Sequence, residues 1–186
     1  MELDELLQKR RAYRSLTKVD ITDSEIQELA RAARLSPSCF NNQPWNYVFV
    51  RDVNKLKKIV KTMPAGNQSW AKDASMIIGV FAKKDDDCVV GEREYYLFDT
   101  GLATQNILLK ATELDLVGHP IAGYDKEKSR EIMNIPAAYQ LITLIIVGKK
   151  AEEINQNLSE SKIKAEKKRP ARKKLNEFIF YENFRG

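Results

Sequence analysis

The sequence predicts an α+β fold built as one domain. Three apolar segments rich in β-branched or aromatic residues have the composition of strands: Tyr47–Val50, Ser75–Ala82 and Tyr139–Gly148. Helical patterns separate them without a strict strand–helix alternation, which favours α+β over a doubly wound parallel sheet. The 186 residues, 43% hydrophobic and 31% charged, fit a single globular domain.

Two helices are predicted at the start of the chain. Leucines at helical spacing indicate a first helix near Leu3–Arg10. Thr22 and Glu25 have capping-box spacing, in which each side chain satisfies a free backbone N–H of the first turn of a second helix. That helix ends before Pro37, because proline disfavours helical geometry in the residue before it. Turn-forming residues then predict a loop over Ser36–Pro44.

Strands and helices alternate in the next part of the chain. The strand Tyr47–Val50 is followed by a helix that Asp52 caps. Proline, glycine, asparagine and serine residues predict a second loop over Pro64–Ser69. The strand Ser75–Ala82 follows this loop.

A long helix is predicted from about Tyr95 to Val117. Its apolar residues cover more than one narrow stripe, which places it at the centre of the domain or of a subunit interface. We expect Gly118 to end it in the left-handed C-cap conformation. Asp125 then caps a short helix, and the uninterrupted apolar run Tyr139–Gly148 predicts a strand in the middle of the sheet.

The C-terminal part divides into two segments of different composition. Residues 151–174 are polar and charged, which predicts an extended surface linker. Residues 175–186 are rich in aromatic side chains and need an apolar surface to pack on. We therefore expect them to form an arm that reaches a partner subunit, with packing on the same chain as the alternative.

Charge and cysteine content narrow the partners and the compartment. The net charge is +5, with much of the excess in Lys162–Lys174, but no base-reading motif accompanies it and we expect no nucleic-acid partner. No run approaches the ~20 apolar residues of a membrane span, so we expect no membrane partner. The N-terminus is acidic, unlike a secretory signal. Two cysteines, Cys39 and Cys88, are too few for a disulfide framework, which favours a reducing cytoplasm.

Several familiar sites are excluded by their missing motifs. The sequence contains neither the glycine-rich dinucleotide fingerprint nor a P-loop. Its single histidine, His119, argues against a Ser-His-Asp triad and against a histidine-rich metal site. We expect His119 to be a helix-end residue, with contact to a substrate as the alternative.

Three remaining clusters suit a phosphorylated aromatic ligand. Arg10, Arg11 and Arg14 offer guanidinium groups, whose forked geometry matches phosphate. The loop at residues 37–41 offers hydroxyl, thiol and amide groups on a backbone stiffened by prolines. The segment Pro120–Gly123 combines a turn with small residues that a flat ring can approach closely.

The order and spacing of these clusters are specific. Arg-Arg-Ala-Tyr-Arg at residues 10–14 precedes Ser-Pro-Ser-Cys-Phe-Asn-Asn-Gln-Pro-Trp at residues 36–45. Further blocks follow at residues 66–74, 99–111, 120–124, 135–136 and 172–178. Over roughly residues 6 to 184 this arrangement resembles the nitroreductase family of oxidoreductases that depend on flavin mononucleotide (FMN).

The resemblance implies a fold and an activity. The fold is a central, mostly antiparallel sheet flanked by helices, in a homodimer that exchanges its C-terminal arms. The activity is that of an enzyme with FMN tightly bound at two interface sites. NADH or NADPH would reduce the flavin at N5, and a small nitroaromatic, quinone or flavin acceptor would reoxidise it in a ping-pong cycle. A flavin-binding carrier or sensor without turnover is the alternative.

The resemblance also assigns roles to residues, none of them as a nucleophile or a metal ligand. Arg10 and Arg172 would hold the phosphate, and Arg14 would reach the ribityl chain or the pyrimidine edge and stabilise charge on the reduced ring. Other residues would complete the cofactor site: backbone of Arg11 and Ala12 at the phosphate; Asn67 and Gln68 at the pyrimidine edge; Pro120, Ile121, Ala122 and Gly123 over the ring; and Pro37, Ser38, Cys39 and Asn41 at the flavin of the other subunit.

The sequence departs from the family pattern at three places. Ala12 stands where the family has serine, and Cys39 stands where it commonly has the second serine of Pro-Ser-Ser. The segment Lys83–Glu94 is short where some members carry a helical lid. The short segment predicts an open acceptor site with little selectivity.

Overall fold

The computed structural model describes residues 1–184 of the chain. Within this range there are seven α-helices and seven β-strands. The helices are α1 (Leu3–Lys9), α2 (Asp23–Arg34), α3 (Val53–Val60), α4 (Ala65–Ala71), α5 (Tyr95–Glu113), α6 (Lys126–Ile132) and α7 (Glu160–Lys167). The strands are β1 (Leu16–Thr17), β2 (Asn46–Val50), β3 (Met76–Ala82), β4 (Val89–Val90), β5 (Arg93–Glu94), β6 (Val117–Ile121) and β7 (Gln140–Lys150).

Five strands form one antiparallel sheet in the order β1-β7-β3-β2, in which β6 also pairs with β7. The central strand β7 pairs with β3 on one side and with β6 and β1 on the other. The short strands β4 and β5 form a separate hairpin. The predicted α+β class, the antiparallel sheet and the central position of the 139–148 strand are confirmed.

Helices cover both faces of the sheet. Ile145 and Ile146 are neighbours on β7, and because successive side chains on a strand point to opposite faces, they belong to two separate hydrophobic clusters. One cluster packs α3, α4 and α6 on the sheet and includes the fully buried Trp70. The other packs α2 and α5 on the opposite face and includes Leu29 and Ile107.

Side-chain caps set the start of three helices as predicted. Thr22 Oγ1 accepts from the backbone nitrogen of Glu25, and the Glu25 carboxylate accepts from the backbone nitrogen of Thr22. Asp52 caps α3 and Asp125 caps α6 through the same type of bond. These caps satisfy N–H groups that have no partner inside the helix.

The predicted end of the long helix is wrong. Helix α5 ends at Glu113, and Asp115, with φ of 59°, takes the left-handed position while Leu116 N bonds back to Ala111 O. Gly118 lies instead inside β6, where a Cβ would come within 2.8 Å of Leu108 Cδ2. Pairing with β7 therefore extends the chain over residues whose apolar pattern suggested more helix.

Two other segments also differ from the sequence prediction. The predicted loop at Pro64–Ser69 is largely helix α4, because burial of Trp70 and Ala71 outweighs the low helix propensity of Gly66 and Asn67. The linker at 151–174 is not extended throughout, since it contains α7. Among the described helices none has the length and apolar character needed to cross a bilayer.

The arm leaves its apolar side chains uncovered in the single protomer. Leu175, Phe178 and Tyr181 are 68%, 53% and 85% exposed. Phe180 and Phe184 contact each other edge to face with ring centroids 4.6 Å apart. Residues 185–186 of the predicted arm lie outside the described residues.

Candidate functional site

Arginines from the two ends of the chain meet beside α1. Arg10 follows the last residue of α1 and is half-buried. Burial, then the positive charges of Arg169 and Arg172, lower the pKa of Arg10. Within residues 1–184 none of these three arginines forms an ion pair with a carboxylate. Arg172 is thus close enough to Arg10 for its charge to act on it, and this environment favours an anion.

Helix α7 holds the N-terminal segment in place. The buried carboxylate of Glu166 accepts from the backbone nitrogens of Arg14 (2.8 Å) and Ser15 (3.3 Å). Arg169 Nη2 donates to the backbone oxygen of Arg10 at 2.9 Å and also to that of Gln8. The residues after β7 thus fix the backbone on which the predicted phosphate ligands stand.

The side chain of Arg11 does not join the other arginines. Its Nη2 donates to the backbone oxygens of Ala165 and Glu166 (3.1 Å) at the end of α7. Its guanidinium also lies over the Tyr13 ring, 4.6 Å from the centroid. Arg11 therefore anchors α7, and only its backbone, with that of Ala12, is free to serve the predicted phosphate contact.

Arg14 and Lys162 extend the positive region towards α4. The Arg14 guanidinium lies 5.9 Å from the centroid of the Trp70 ring. Lys162 Nζ donates to the backbone oxygen of Gly66 at 2.8 Å. We call Arg10, Arg14, Lys162, Arg169 and Arg172 the basic cluster. Lys162 and Arg169 were missed by the sequence analysis, because a run of lysine and arginine is usually a solvated face.

His119 lies under this cluster and is uncharged. It is buried in β6, its ring centroid is 4.6 Å from that of Trp70, and its Nδ1–H donates to Tyr13 O at 2.9 Å. Burial, together with the smaller effects of the nearby charges of Arg14, Lys162 and Arg10, lowers the pKa of His119 to about 4, against the effect of the bond to Tyr13. The expected helix-end position is wrong, since the residue lies within a strand.

The predicted pyrimidine-edge and ring-face residues are neighbours. Asn67 Nδ2 donates to Gly123 O at 3.2 Å, and a Cβ on Gly123 would lie 3.0 Å from that nitrogen. Gln68 Nε2 instead donates to Met63 O at 2.6 Å. The amide nitrogens of Asn67 and Gln68 are therefore both engaged, and only the bond of Asn67 joins the predicted pyrimidine edge to the predicted ring face.

The segment 120–123 begins in a strand rather than in a turn. Pro120 and Ile121 end β6, and the Ile121 side chain is buried in the core. Pro120 and Ala122 are exposed. Of the four predicted ring-face residues, Ile121 therefore offers only backbone to a ligand.

The 37–41 loop lies on a different part of the protomer from the basic cluster. The Cys39 backbone nitrogen donates to Asp99 Oδ2 (2.6 Å) at the start of α5, and Ser38 Oγ accepts from Gln43 N (2.9 Å). Phe40, Asn41 and Gln43 have positive φ values of 48°, 59° and 52°. Pro37 and Asn41 are exposed. Within residues 1–184 no hydrogen bond joins this loop to the basic cluster.

The two cysteines are joined, although neither has a partner nearby in sequence. Cys39 and Cys88 form a disulfide across 49 residues. The bond connects the 36–45 loop to the segment that precedes α5. Sequence reasoning did not find this pair, since nothing local indicates that the two segments touch.

A separate cavity of about 1140 Å³ lies between α3, α4 and the segment that follows β1, residues 18–21. Apolar residues such as Val19, Leu56 and Ala71 line it, and lysines stand at its rim: Lys18, Lys57, Lys61 and Lys72. It is lined by none of the basic cluster.

Known proteins share both the sequence pattern and the fold. The pattern of the nitroreductase family matches residues 7–68 and 58–149. A protein of Archaeoglobus fulgidus, provisionally named an NADH dehydrogenase/NAD(P)H nitroreductase, is 30% identical over 152 residues, covering 80% of this chain and 85% of its own. An oxygen-insensitive NADPH nitroreductase of Helicobacter pylori is 26% identical, with 78% and 86% covered.

Solved structures agree on the fold. A crystal structure described as an oxidoreductase containing FMN superposes with a TM-score of 0.84 at 24% identity, covering 100% of this chain and 94% of that one. An FMN-dependent nitroreductase of Clostridium difficile R20291 superposes with a TM-score of 0.73 at 22% identity, covering 98% and 100%. The chain has the nitroreductase fold and belongs to the nitroreductase family.

Proposed function

We propose that the protein is an FMN-dependent oxidoreductase that passes electrons from NADH or NADPH to a small oxidised acceptor. The observation that carries the proposal is the basic cluster, which two distant parts of the chain build and which within residues 1–184 has no carboxylate partner. Family membership supports the proposal, as do relatives named as NADPH nitroreductase and as FMN-dependent nitroreductase.

The basic cluster fits the phosphate of FMN. Gathering Arg10, Arg169 and Arg172 costs electrostatic free energy, because each positive charge disfavours the others. A phosphate dianion between them would remove that cost and accept paired hydrogen bonds from the guanidinium groups. We assign Arg10 and Arg172 to the phosphate, with the backbone at Arg11 and Ala12 assisting.

The other part of the cluster fits the polar edge of a flavin ring. Bound FMN would supply the two-electron redox chemistry. Arg14 and Lys162 would stabilise negative charge at that edge, because both cations are held in place before the reaction. Asn67 would contribute its amide oxygen, since its amide nitrogen donates to Gly123, and Ala122 and Gly123 would contribute backbone to the ring face.

His119 has a structural role in this proposal. With a pKa of about 4, the His119 ring is neutral at pH 7. It therefore adds no positive charge to the site and cannot act as a general acid near neutral pH. Its bond to Tyr13 O and its contact with Trp70 fix the backbone between Arg11 and Arg14. The alternative of substrate contact has no support from this buried position.

We further propose that two copies of the chain build each site. The 37–41 loop lies away from its own basic cluster, so Pro37, Ser38, Cys39 and Asn41 would meet the cofactor bound mainly by the partner. The exposed apolar arm would cover the partner subunit. The cavity beside α3 and α4 of the partner would receive the arm. Its apolar lining suits the aromatic side chains, and the lysines at its rim complement the negative charges of Glu177 and Glu182.

The acceptor site would be open. Segment 83–94 contains only a short turn and the β4–β5 hairpin, with Val89 and Val90 48% and 43% exposed. So short a segment leaves the ring face accessible to nitroaromatics, quinones or free flavins in turn after NAD(P)H. We propose a ping-pong cycle because NAD(P)H and the acceptor would use the same face of the ring one after the other. The enzyme would work in the cytoplasm, where NAD(P)H is found.

The proposal is tested by an anaerobic titration. Full-length protein reconstituted with FMN is mixed with NADH or NADPH, and the flavin absorbance near 450 nm is followed before and after an acceptor is added. We expect one equivalent of reductant to bleach the flavin and the acceptor to restore it. Stable FMN binding without bleaching would instead identify a carrier or sensor, and failure to bind FMN would refute the cofactor assignment.

A further inference from the structure

The disulfide lies at the junction of two surface segments. Cys39 belongs to the 36–45 loop, and Cys88 belongs to segment 83–94. Both cysteines are half-buried, and neither lies in a strand of the main sheet or in an α-helix. Neither cysteine belongs to either hydrophobic cluster, so we expect both clusters to persist when the bond is broken.

We propose that Cys39 and Cys88 form a reversible redox site, whose disulfide clamps segment 83–94 onto the 36–45 loop and whose reduction by a dithiol releases that segment. The dithiol is a small molecule or a protein with paired thiols. The thiol–disulfide exchange needs no flavin, although Cys39 is also one of the residues proposed to meet the cofactor of the partner subunit.

The contacts around the bond show which segment is released. The 36–45 loop keeps its own attachments after reduction, since Cys39 N donates to Asp99 and Asn106 Nδ2 donates to Ser36 Oγ at 2.7 Å. Segment 83–94 is tied to the loop by the disulfide and by one further hydrogen bond, from Asn42 Nδ2 to Asp87 Oδ1 at 3.2 Å. Reduction thus loosens mainly segment 83–94.

Two buried carboxyl groups, Asp87 and Asp99, lie beside the disulfide. Asp87 is 9% exposed, and its Oδ2 is buried with no hydrogen-bond partner within residues 1–184. Asp99 is 2% exposed, and burial together with the negative charge of Asp87 raises its pKa, against the bond from Cys39 N. Negative charge here disfavours a thiolate, so the reduced form gains no stability from ionisation and the disulfide is favoured.

The exchange balances as a two-electron step. A thiolate of the dithiol attacks Cys88 Sγ, and the sulfur–sulfur bond breaks with Cys39 Sγ as the leaving group. The second thiol of the reductant then attacks the mixed disulfide and frees Cys88. Two electrons and two protons pass to the protein, which becomes a dithiol, and the reductant becomes a disulfide.

A persistent disulfide would be unusual in the reducing cytoplasm that the sequence favours. Cytoplasmic disulfides are mostly transient or redox-sensing. A bond between two half-buried cysteines that joins two surface segments, with one further hydrogen bond between them, has the properties of such a sensor. The consequence for the acceptor site, which segment 83–94 borders, rests on the proposed function; the redox site itself does not.

The test equilibrates full-length protein with defined ratios of oxidised and reduced dithiothreitol under argon. Alkylation and mass spectrometry count free thiols, and hydrogen exchange reports on segments 83–94 and 36–45. We expect both thiols to appear together in one two-electron transition, with at least tenfold faster exchange in 83–94, little change in 36–45, and full recovery on reoxidation. Equal exchange in the two states, or reduction only after unfolding, would overturn the proposal.

Variants separate this role from a merely structural one. Cys88→Ser should exchange like the reduced protein at every dithiothreitol ratio. At a fixed dithiothreitol ratio, Asp87→Asn should raise the ratio of reduced to oxidised protein at least threefold, because it removes the charge that opposes a thiolate. Asp86→Asn, at the exposed neighbouring position, should leave this ratio unchanged. A shift with Asp86→Asn equal to that with Asp87→Asn would contradict the local charge effect.

A metal centre is the competing outcome. Donor atoms of Cys39, Asp87 and Cys88 lie within 4.8 Å of one another. The reduced protein is therefore dialysed against Zn²⁺ alone and its metal content is measured. No retained zinc supports the redox site, whereas one equivalent of retained zinc that restores protection in segment 83–94 would overturn it.

Discussion

The buried carboxylate of Glu166 accepts a hydrogen bond of 2.8 Å from the backbone nitrogen of Arg14, across 152 residues of sequence. A second bond joins it to the nitrogen of Ser15. Through these bonds α7 fixes the backbone that carries Arg10 and Arg14. A carboxylate held by two N–H donors thus links the C-terminal helix to the proposed cofactor site.

Replacing this carboxylate should destabilise the fold. In Glu166→Gln the side chain keeps only one acceptor oxygen for two buried donors, so we expect the free energy of unfolding to fall by about 1–3 kcal/mol, the range for losing a hydrogen bond to a charged group. Urea denaturation measures the change. Glu160→Gln, an exposed position on the same helix, should stay within about 0.5 kcal/mol of the parent. Equal stability of the parent and Glu166→Gln would refute the link.

Removing Arg10 should weaken FMN binding while the fold persists. A charge-assisted hydrogen bond contributes about 1.5–3 kcal/mol, so Arg10→Ala should raise the Kd for FMN about 10- to 150-fold. Quenching of FMN fluorescence measures the Kd, and circular dichroism checks the fold. Arg34→Ala, at the exposed end of α2, is the matched control. Unchanged affinity in Arg10→Ala would remove the phosphate assignment.

Local signals in the sequence were sufficient for part of the fold. The caps at Thr22, Asp52 and Asp125 and the apolar run of β7 were identified because each depends on residues within a few positions of one another. The arginines at 10 and 172 were brought together by resemblance to a family rather than by any local pattern.

Features that depend on distant contacts were missed. Strand β6 forms because it pairs with β7, and the same residues read alone continue an apolar helix. Lys162 and Arg169 belong to the basic cluster only because α7 docks on residues 8–15. The Cys39–Cys88 bond likewise follows from how the 36–45 loop folds on the start of α5.

His119 should make the protein sensitive to mild acid. The folded pKa is about 4, below the ordinary value of 6.5, so the folded state favours the neutral ring and the unfolded state binds the proton at higher pH. The contribution of His119 to the free energy of unfolding is therefore fully present above pH 6.5 and is lost as the pH falls towards 4. The shift corresponds to roughly 3 kcal/mol.

Urea denaturation at a series of pH values tests this sensitivity. His119→Asn cannot titrate, and its amide can still donate to Tyr13 O, so its stability should be flatter than that of the parent between pH 6.5 and 4. The difference between the two proteins isolates the histidine from the carboxylates, which titrate in both. Parallel curves for the two proteins would mean that His119 is not the responsible group.

Deleting residues 175–186 should abolish the dimer. The arm exposes Leu175, Phe178 and Tyr181, and a surface of this kind is stable in water only when it is covered. Light scattering after size-exclusion chromatography should show a dimer for the full chain and a monomer or aggregate for the deletion.

The lysines at the rim of the cavity beside α3 and α4 give a matched pair of double variants. Lys57→Glu/Lys61→Glu should weaken the dimer, whereas Lys126→Glu/Lys164→Glu, at positions away from the cavity, should not. A dimer that survives the deletion would show that the arm does not hold the two subunits together.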